Sequence, residues 1–501
     1  MADKAIDSSP LTDGSSAPLS AALSLSPTFE AAYFLSRGQA PPSDTALDHS
    51  NMRTSDQPML DQDHFSDVAR KVFDRVDTAH TGKVTKSELG KAIVDPSYKG
   101  EQTQALVALY ENFSLLHNLS NQQGWFDSPS ISASDIDKFQ SIEKVVAPLQ
   151  FATTELKLWA EKDLTLFTGK DRDALTQADL DRALKDPATP KYDQEMLQLV
   201  HIFLPEMDPA HVASGLTKKD FEGLYDKTWN DKEGTLVASV YGSCWDVANQ
   251  VQKAGTHYDL YGGQDPLKAI TPDCVVQGAI GDCYFEAAAA SIANCDPAVI
   301  RDCIADNHNG TYTVTFPGAK GEPIVVAAPT EAELGLYNRS GKNGLWSSVL
   351  EKAYGQYCEN HAWWSSNTPQ EGADGGGQPG PVMKLLTGKD YDFFEVPDTN
   401  QGEMAKYLSS AFSTTPAKVV VAGINNDLFG NWNGPDTPDT TSDNFDKGHD
   451  YSVTSFTASG KDDGTVGLRN PHGGKYGTPD GTIKIPLAEF MKNFSDVSIE
   501  K

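Results

Sequence analysis

A fourfold internal repeat constrains the N-terminal part of this chain more than any other feature. Each copy contains an apolar residue, Ser or Thr, two variable residues, Asp or Glu and a second apolar residue. The copies begin at Val84, Ile131, Leu175 and Leu216. In this pattern the hydroxyl caps the backbone N–H of the third helical residue, and the acid accepts the N–H of the capping residue. The motifs therefore predict four helices whose starts are separated by 47, 44 and 41 residues.

Helical candidates also precede at least three of the motifs, so the predicted unit over residues 61–228 is a helix, a loop and a capped helix. This organisation resembles two pairs of EF-hands and implies an all-α region. A calcium-binding loop needs oxygen ligands at positions 1, 3 and 5, glycine at position 6 and an acid at position 12. The first loop supplies Asp77, Thr81 and Glu88 but has Ala79 at position 3, which predicts a weak calcium site at best.

The other three loops are predicted not to bind calcium, because apolar, bulky or positive residues stand where ligands are needed. These residues are Phe126 and Pro129 in the second loop, Lys170 and Arg172 in the third, and Pro209, His211 and Ala213 in the fourth. Two interpretations stay open for residues 61–228. The region is a structural or partner-binding scaffold, or it keeps one residual calcium site at Asp77–Glu88.

A glycine-rich turn that leads into an alanine-rich helix marks the candidate chemistry. Cys283 stands at the start of this helix, where the positive end of the helix dipole favours a thiolate. Gln277, six residues earlier, could donate its side-chain amide to a developing oxyanion, together with the backbone N–H of Cys283. A thiolate beside oxyanion donors predicts acyl transfer.

A cysteine nucleophile needs a base and a residue that orients the base. His449 begins a segment rich in β-branched and aromatic residues, and Asn470 ends the next such segment. If these are adjacent antiparallel strands, the two side chains lie side by side. The pattern predicts a Cys-His-Asn triad in which Asn470 orients His449 and His449 shares a proton with Cys283.

Five segments in this order resemble the calpains, a family of papain-like cysteine proteases. They are Gln277–Phe285, Leu345–Tyr354, Gly448–Thr454, Leu468–Pro471 and Leu487–Phe494. The resemblance implies an α+β, two-lobed protease core over residues 231–501, with a helical lobe at about 231–385 and a β-rich lobe at about 386–501. It also implies that peptide binds between the lobes, and that Gly375, Gly376, Gly377 and Gly448 line the substrate backbone.

Three positions depart from the family pattern. Tyr284 and Glu286 follow the nucleophile where Trp and an apolar residue are usual, and His472 replaces the Trp after Asn470-Pro471. A carboxylate one turn past Cys283 could form a salt bridge, face solvent or raise the pKa of the thiol. His472 puts the shielding of the His449–Asn470 hydrogen bond in question.

The composition limits the partners and the compartment. With 41 Lys and Arg against 70 Asp and Glu, the net charge is −29, which disfavours nucleic acid and anionic membrane surfaces as ligands. Residues 1–60 are rich in Ser, Pro, Ala and Asp and predict a disordered leader without a Sec-type signal peptide; the alternatives that stay open are a pro-segment and an uncleaved export or targeting signal. We expect a cytoplasmic protein, or one exported by another route, with reduced thiols. The five cysteines other than Cys283 are expected to be buried apolar residues.

Three functions therefore follow from the sequence. The first is a calpain-like cysteine endopeptidase that acts on protein or peptide without a cofactor in the chemistry, with calcium as a possible activator. The second is a catalytically weak or inactive calpain-like scaffold, for which the departures at Tyr284, Glu286 and His472 argue. The third is a calcium sensor, which the incomplete loops disfavour.

Overall fold

The computed structural model describes most of the chain beyond residue 64. The described residues are 65–121, 128–169, 172–204, 207, 215–255, 259–319, 321–339, 341–361, 368–424, 445–460, 462–474 and 480–501. The predicted leader at residues 1–60 and most of the fourth predicted loop lie outside them. Among the described helices, none is both long enough and apolar enough to cross a membrane.

The N-terminal part of the described chain is helical. Its helices are α1 Phe65–Val76, α2 Lys86–Ile93, α3 Glu101–Glu111, α4 Phe113–Leu116, α5 Ala133–Lys162, α6 Leu164–Phe167, α7 Gln177–Lys185, α8 Lys191–Phe203 and α9 Lys218–Asn230. Four of them, α2, α5, α7 and α9, begin one residue after the Ser or Thr of a repeat motif, as the capping pattern predicts. In each, the acid of the motif accepts the backbone N–H of the capping residue.

Short antiparallel contacts join the repeats two by two. Strand β1, Lys83–Val84, pairs with β2, Ile131–Ser132, and a single β-bridge joins Leu175 to Leu216. The first motif is thus paired with the second, and the third with the fourth. Helix α5 begins in the second motif and continues for 30 residues toward the third, so it connects the two pairs.

The C-terminal part mixes helices with two antiparallel sheets. The helices are α10 Lys232–Gly255, α11 Pro266–Ala269, α12 Cys283–Cys295, α13 Pro297–Cys303, α14 Glu331–Leu336, α15 Trp346–His361, α16 Pro369–Ala373, α17 Pro379–Thr387, α18 Gln401–Phe412 and α19 Leu487–Asn493. A small sheet contains β3 Ile304–Asp306, β4 Thr311–Thr315 and β5 Pro323–Ala327. This small sheet lies within residues 231–385, the lobe that the family resemblance implies to be mainly helical.

The larger sheet carries the predicted base and its orienting residue. Its strands are β6 Tyr391–Glu395, β7 Val420–Ile424, β8 His449–Ala458, β9 Gly464–Arg469, β10 Thr482–Pro486 and β11 Asp496–Glu500. In the described residues their spatial order is β10, β9, β8, β7, β11, β6, with antiparallel neighbours. The strands that begin with His449 and end next to Asn470 are therefore neighbours.

The described buried apolar side chains form three clusters. The first cluster combines residues from 65–147 with residues from 236–386 and with Val419 and Val421. The second cluster lies within residues 149–224, and the third fills the larger sheet and helices α18 and α19. The protein is thus a mixed helix and sheet structure in which the first repeat pair shares a core with the helices of the C-terminal part.

Candidate active site

Cys283 is the first residue of α12, as the sequence predicts. The turn before it is fixed by hydrogen bonds to other segments, since Ala279 N donates to Leu336 O at 2.8 Å and Gly281 N donates to Asp374 Oδ1 at 3.0 Å. Gly278 is required here, because a Cβ atom at this position would lie 2.1 Å from Leu336 O. The helix that follows contains four successive alanines, which are good helix formers and are buried. Local sequence and fixed turn together set the position of the thiol.

Helix α12 packs along β8 and β7 of the larger sheet. Ser452 Oγ donates to Ala287 O at 2.8 Å, and Ser291 Oγ donates to Val420 O at 3.0 Å. At the start of the helix, Cys283 Sγ contacts Asp450 Oδ2 at 3.9 Å. Because Asp450 directly follows His449, this packing brings the predicted nucleophile and the predicted base to one end of the helix–sheet interface.

The predicted base and its predicted orienting residue are joined directly by a hydrogen bond. His449 Nε2 donates to Asn470 Oδ1 at 2.9 Å, and the backbone N–H of His472 donates to the same oxygen at 2.9 Å. The amide of Asn470 is fully buried and donates to Asp446 Oδ2 at 3.2 Å and to Tyr451 Oη at 3.4 Å. Asn470 is therefore held from both ends of its side chain, which fixes the plane of the imidazole.

His472 covers one face of the imidazole of His449. The two rings stack with centroids 4.4 Å apart and planes 24° apart, and Tyr451 meets His449 edge-on at 5.2 Å. The replacement of the usual Trp by His472 thus does not leave the His449–Asn470 hydrogen bond open to water on that side. The sequence left open whether His472 shields this hydrogen bond. In the structure, the ring of His472 covers one face of the His449 imidazole.

Gln277 is buried next to the same site. Its backbone N–H donates to Pro471 O at 2.9 Å, so its segment is attached to the residue after Asn470. Its side-chain Nε2 donates to Ile280 O at 2.8 Å. Because an amide nitrogen has two hydrogens, the second N–H is not used in this bond.

The four glycines lie on exposed segments. Gly375, Gly376 and Gly377 follow Asp374, and Gly376 N donates to Gly281 O at 3.0 Å, which places this segment beside the turn that precedes Cys283. Gly448 immediately precedes His449 and has φ +61°, and its N–H donates to Ile424 O. Both segments are thus next to predicted catalytic residues and accessible to a ligand.

The thiol of Cys283 is half-buried and its environment opposes ionisation. Burial and then the Asp450 carboxylate raise the pKa of Cys283 well above that of an ordinary cysteine. Backbone N–H groups of Asp450 and Tyr284 act in the opposite direction. The backbone N–H groups therefore lower the pKa of the Cys283 thiol, but desolvation and the Asp450 carboxylate raise it by more.

Glu286 is buried rather than exposed to solvent. It is 1 % exposed, accepts a hydrogen bond from Asn338 Nδ2 at 2.6 Å, and burial raises its pKa to about 7. The carboxylates that raise the pKa of the Cys283 thiol are instead Asp450 and Asp282. Sequence analysis missed Asp450, although its position directly after the predicted base was the signal that could have revealed it.

The described residues contain two clusters whose chemistry could suit a metal ion. Asp282, Glu286 and Glu351 are buried together, and Asp446, His449 and His472 lie at the candidate site, with the ligand atoms of each set within 4.8 Å of one another.

In the predicted calcium loop, the ligand oxygens are already engaged. Asp77 accepts the N–H groups of Thr81 and Gly82 at 2.8 and 2.7 Å, and Glu88 accepts that of Thr85 at 2.8 Å. A cation bound in this loop would have to share these oxygens with the loop's own backbone.

The remaining cysteines divide into two groups. Cys244, Cys274 and Cys303 are buried as expected, whereas Cys295 and Cys358 are half-buried. The expectation that all five are buried was thus wrong for Cys295 and Cys358. Neither thiol lies at the start of α12, where Cys283 is.

The chain is similar to a known protein family over part of its length. A search of curated proteins finds no significant match to the chain. The family model of the calpain family cysteine protease matches residues 267–479, which include Gln277, Cys283, His449 and Asn470. Residues 267–479 of this chain are therefore a calpain-family cysteine protease domain.

Proposed function

We propose that the chain is a calpain-like cysteine endopeptidase with Cys283 as nucleophile, His449 as base and Asn470 as the residue that orients the base. The observation that best supports this proposal is the 2.9 Å hydrogen bond from His449 Nε2 to a fully buried Asn470, at the end of β8 that meets the start of α12. This proximity of residues distant in sequence supports the proposal, because nucleophilic catalysis needs a nucleophile, a base and an orienting residue together.

The proposed reaction uses these groups in order. His449 takes the proton of the Cys283 thiol, and the thiolate attacks the carbonyl carbon of the scissile peptide bond. The backbone N–H of Cys283 and the free N–H of Gln277 stabilise the oxyanion. When the C–N bond breaks, His449 gives its proton to the leaving amine and a thioester remains. Water, activated by His449, then hydrolyses the thioester and restores the thiol.

We also propose the two-lobed division of the core, with lobes at about 231–385 and 386–501. Two facts support it. Cys283 lies in a helix whose buried residues belong to the first apolar cluster, while the residues around His449 belong to the cluster of the larger sheet. The exposed segments Gly375–Gly377 and Gly448 then offer backbone to an extended peptide in the intervening cleft.

For residues 61–228 we propose two degenerate EF-hand-like pairs that act as a scaffold for the protease or for a protein partner. The pairing of β1 with β2, and of Leu175 with Leu216, supports this arrangement. In the third loop, Arg172 Nη2 lies 2.9 Å from Asp179 Oδ2, so a guanidinium occupies the place of a cation. Calcium, if it acts on this protein, is expected to act through Asp77, Thr81 and Glu88 of the first loop.

A Cys283→Ala variant tests the proposed function. We expect full-length protein to digest casein, and the variant to lose about three orders of magnitude of activity or more while it stays folded. Cys358→Ala, which removes a half-buried thiol elsewhere, is the matched control and should keep full activity. Each protein is assayed with calcium and with a chelator, which shows whether calcium controls the rate. Casein cleavage that survives in Cys283→Ala would refute the proposal.

The alternative is a catalytically weak scaffold, which the raised pKa of Cys283 and the nearby Asp450 favour. A papain-type epoxide inhibitor distinguishes the two, because it alkylates only an activated thiol. Labelling of Cys283 by the epoxide supports the enzyme. An intact Cys283, together with no casein cleavage in either condition, supports the scaffold.

A further inference from the structure

The residue directly after the proposed base contacts the proposed nucleophile. Asp450 is 1 % exposed and its Oδ2 lies 3.9 Å from Cys283 Sγ, within the longer reach of a sulfur donor. In the register of the sheet Asp450 is opposite Gly423 of β7, which has no side chain.

The groups around this thiol can be assigned to the two elements that meet there. Strand β8 contributes the carboxylate and backbone N–H of Asp450; Asp282, which caps α12, and the backbone N–H of Tyr284 in its first turn lie on the other side. A thiolate at Cys283 would therefore lie beside the Asp450 carboxylate, whereas burial raises the pKa of Asp282 and favours its neutral form. Like charges at this distance in a poorly solvated site repel strongly, whereas a neutral S–H can donate to the Asp450 oxygen.

We propose that Asp450 restrains the nucleophile: its carboxylate accepts the S–H of Cys283 and keeps the thiol protonated until this contact is broken. The inference rests on the proposed function of Cys283 as nucleophile. When the contact breaks, the S–H proton passes to the imidazole of His449, and the thiolate and imidazolium form as a pair. Asp450 thus sets how much of the resting protein is ready to react.

The restraint explains two features of the site together. Cys283 stands at a helix N-terminus, an arrangement that lowers the pKa of a thiol, and yet its pKa is raised. Burial is the larger cause of the raised pKa and the Asp450 carboxylate is the next, ahead of Asp282. Removing the charge of Asp450 alone should therefore make the thiol measurably more reactive without rebuilding the site.

Alkylation of the thiol tests this proposal directly. Full-length wild type, Asp450→Asn and Asp450→Ala are treated with limiting iodoacetamide between pH 5 and pH 10, and the rate at Cys283 is read by peptide mass spectrometry. We expect both variants to react about tenfold faster at pH 7, which corresponds to a shift of about one unit in the midpoint of the pH profile toward lower pH. Cys358 in the same samples is the internal reference, and its rate should not change.

Asp392→Asn is the matched control. Asp392 is an exposed carboxylate on β6 of the same sheet, where it pairs with Lys501, so its loss changes the net charge equally. Its Cys283 profile should coincide with that of wild type. Labelling of Asp450→Asn at the wild-type rate or slower, in protein with an unchanged circular dichroism spectrum, would overturn the proposal.

Two further outcomes keep the result interpretable. If both Asp450 variants fail to fold, the pH profile of Cys283 alkylation in wild type tests the proposal. A midpoint at or below about 8.5, the pKa of a free cysteine, would contradict a restrained thiol. The labelling assay also needs no peptide cleavage. Faster labelling of Asp450→Asn without casein cleavage by any variant would therefore support the restraint and reject the proposed protease function.

Discussion

The first and second repeat pairs share a sequence pattern but differ in what they pack against. Both pairs consist of capped helices joined by a short antiparallel contact. The first pair belongs to the same apolar cluster as the helices around Cys283, whereas the second has a cluster of its own. Along α5 the change falls at Pro148, since Ala147 belongs to the first cluster and Leu149 to the second. The repeat motif thus defines a unit of structure but not its neighbours.

Polar contacts attach the first pair to the protease domain at several points. Asn112 Nδ2 donates to Ser243 Oγ at 3.0 Å, and Thr330 Oγ1 donates to Ile93 O at 2.7 Å. Lys86 Nζ lies 3.4 Å from Asp374 Oδ2, and the other oxygen of Asp374 accepts the N–H of Gly281, two residues before Cys283. The second pair also reaches α10, where Gln150 Nε2 donates to Gly234 O at 2.8 Å. The first pair is therefore the one connected to the candidate active site.

Matched core truncations should separate the two pairs most strongly. Leu106 of α3 and Leu197 of α8 are both fully buried, the first in the shared cluster and the second in the separate one. Replacing either by Ala should cost about 2–5 kcal/mol of local stability. We expect Leu106→Ala to loosen α12 and β8 as well, because its cluster continues into the protease domain. Hydrogen exchange measured by mass spectrometry on the full-length variants reports each region separately.

Leu197→Ala is then the control for Leu106→Ala. Its faster exchange should be confined to residues of the second pair, with casein cleavage unchanged. Equal loosening of α12 in the two variants would show that both pairs form one cooperative unit with the protease. That result would contradict the proposed difference between the pairs.

The ion pairs of the third loop should give the second pair a distinct response to pH. Arg172 and Arg182 each lie 2.9 Å from an oxygen of Asp179. Burial alone would raise the pKa of Asp179, but hydrogen bonds from Thr176 and the two guanidinium groups outweigh it and lower that pKa. A lowered folded-state pKa gives stability that is complete above the unfolded value and is lost as the pH falls through the folded value.

Asp179→Asn should therefore destabilise the second pair by about 1 kcal/mol at pH 7 and by progressively less below pH 4. Thermal unfolding of wild type and variant between pH 2.5 and pH 7 measures the difference. Glu88→Gln is the matching change in the first pair, where Glu88 accepts hydrogen bonds from the backbone N–H and the hydroxyl of Thr85. A deficit of Asp179→Asn that stays constant down to pH 2.5 would show that the ion pairs add nothing to the hydrogen bonds.

The smallest effect is expected at the contact between Lys86 and Asp374. Both side chains are partly exposed, and such pairs contribute about 0–1 kcal/mol. Because Asp374 also holds Gly281, we expect Lys86→Ala to change kcat/KM by about twofold without a change in unfolding temperature. Gln177→Ala is the control, since Gln177 is the first residue of α7 in the second pair and bonds only locally to Asp181. A larger loss of activity in Gln177→Ala would contradict the asymmetry between the pairs.

Much of the candidate site could be located from the sequence because its elements have strong local signals. The Gly-rich turn and alanine run predict the helix that begins at Cys283, and the strand patterns around His449 and Asn470 predict neighbours. Asp450 was not predicted, because its approach to Cys283 depends on how α12 lies across β8. Local pattern contains no information on that packing.

The burial of Glu286 shows the same limit. The sequence allowed it to face solvent, to form a salt bridge or to act on the thiol, because one turn of helix places it near Cys283 in each case. The structure buries it against Asn338, beside Asp282 and Glu351, where the cost of desolvation raises its pKa to about 7. Only the neighbours from α15 and the segment before it decided this environment.

The sequence by itself determined the capped helix starts, the helix at Cys283, the neighbouring strands that begin at His449 and end before Asn470, and the family resemblance that the match over residues 267–479 confirms. These features depend on hydrogen bonds and periodicities between residues close in the chain. Tertiary structure decided that the first repeat pair joins the protease core and that Asp450 meets the thiol. Burial and electrostatic interaction depend on which surfaces come together in space, and one-dimensional spacing does not contain that information.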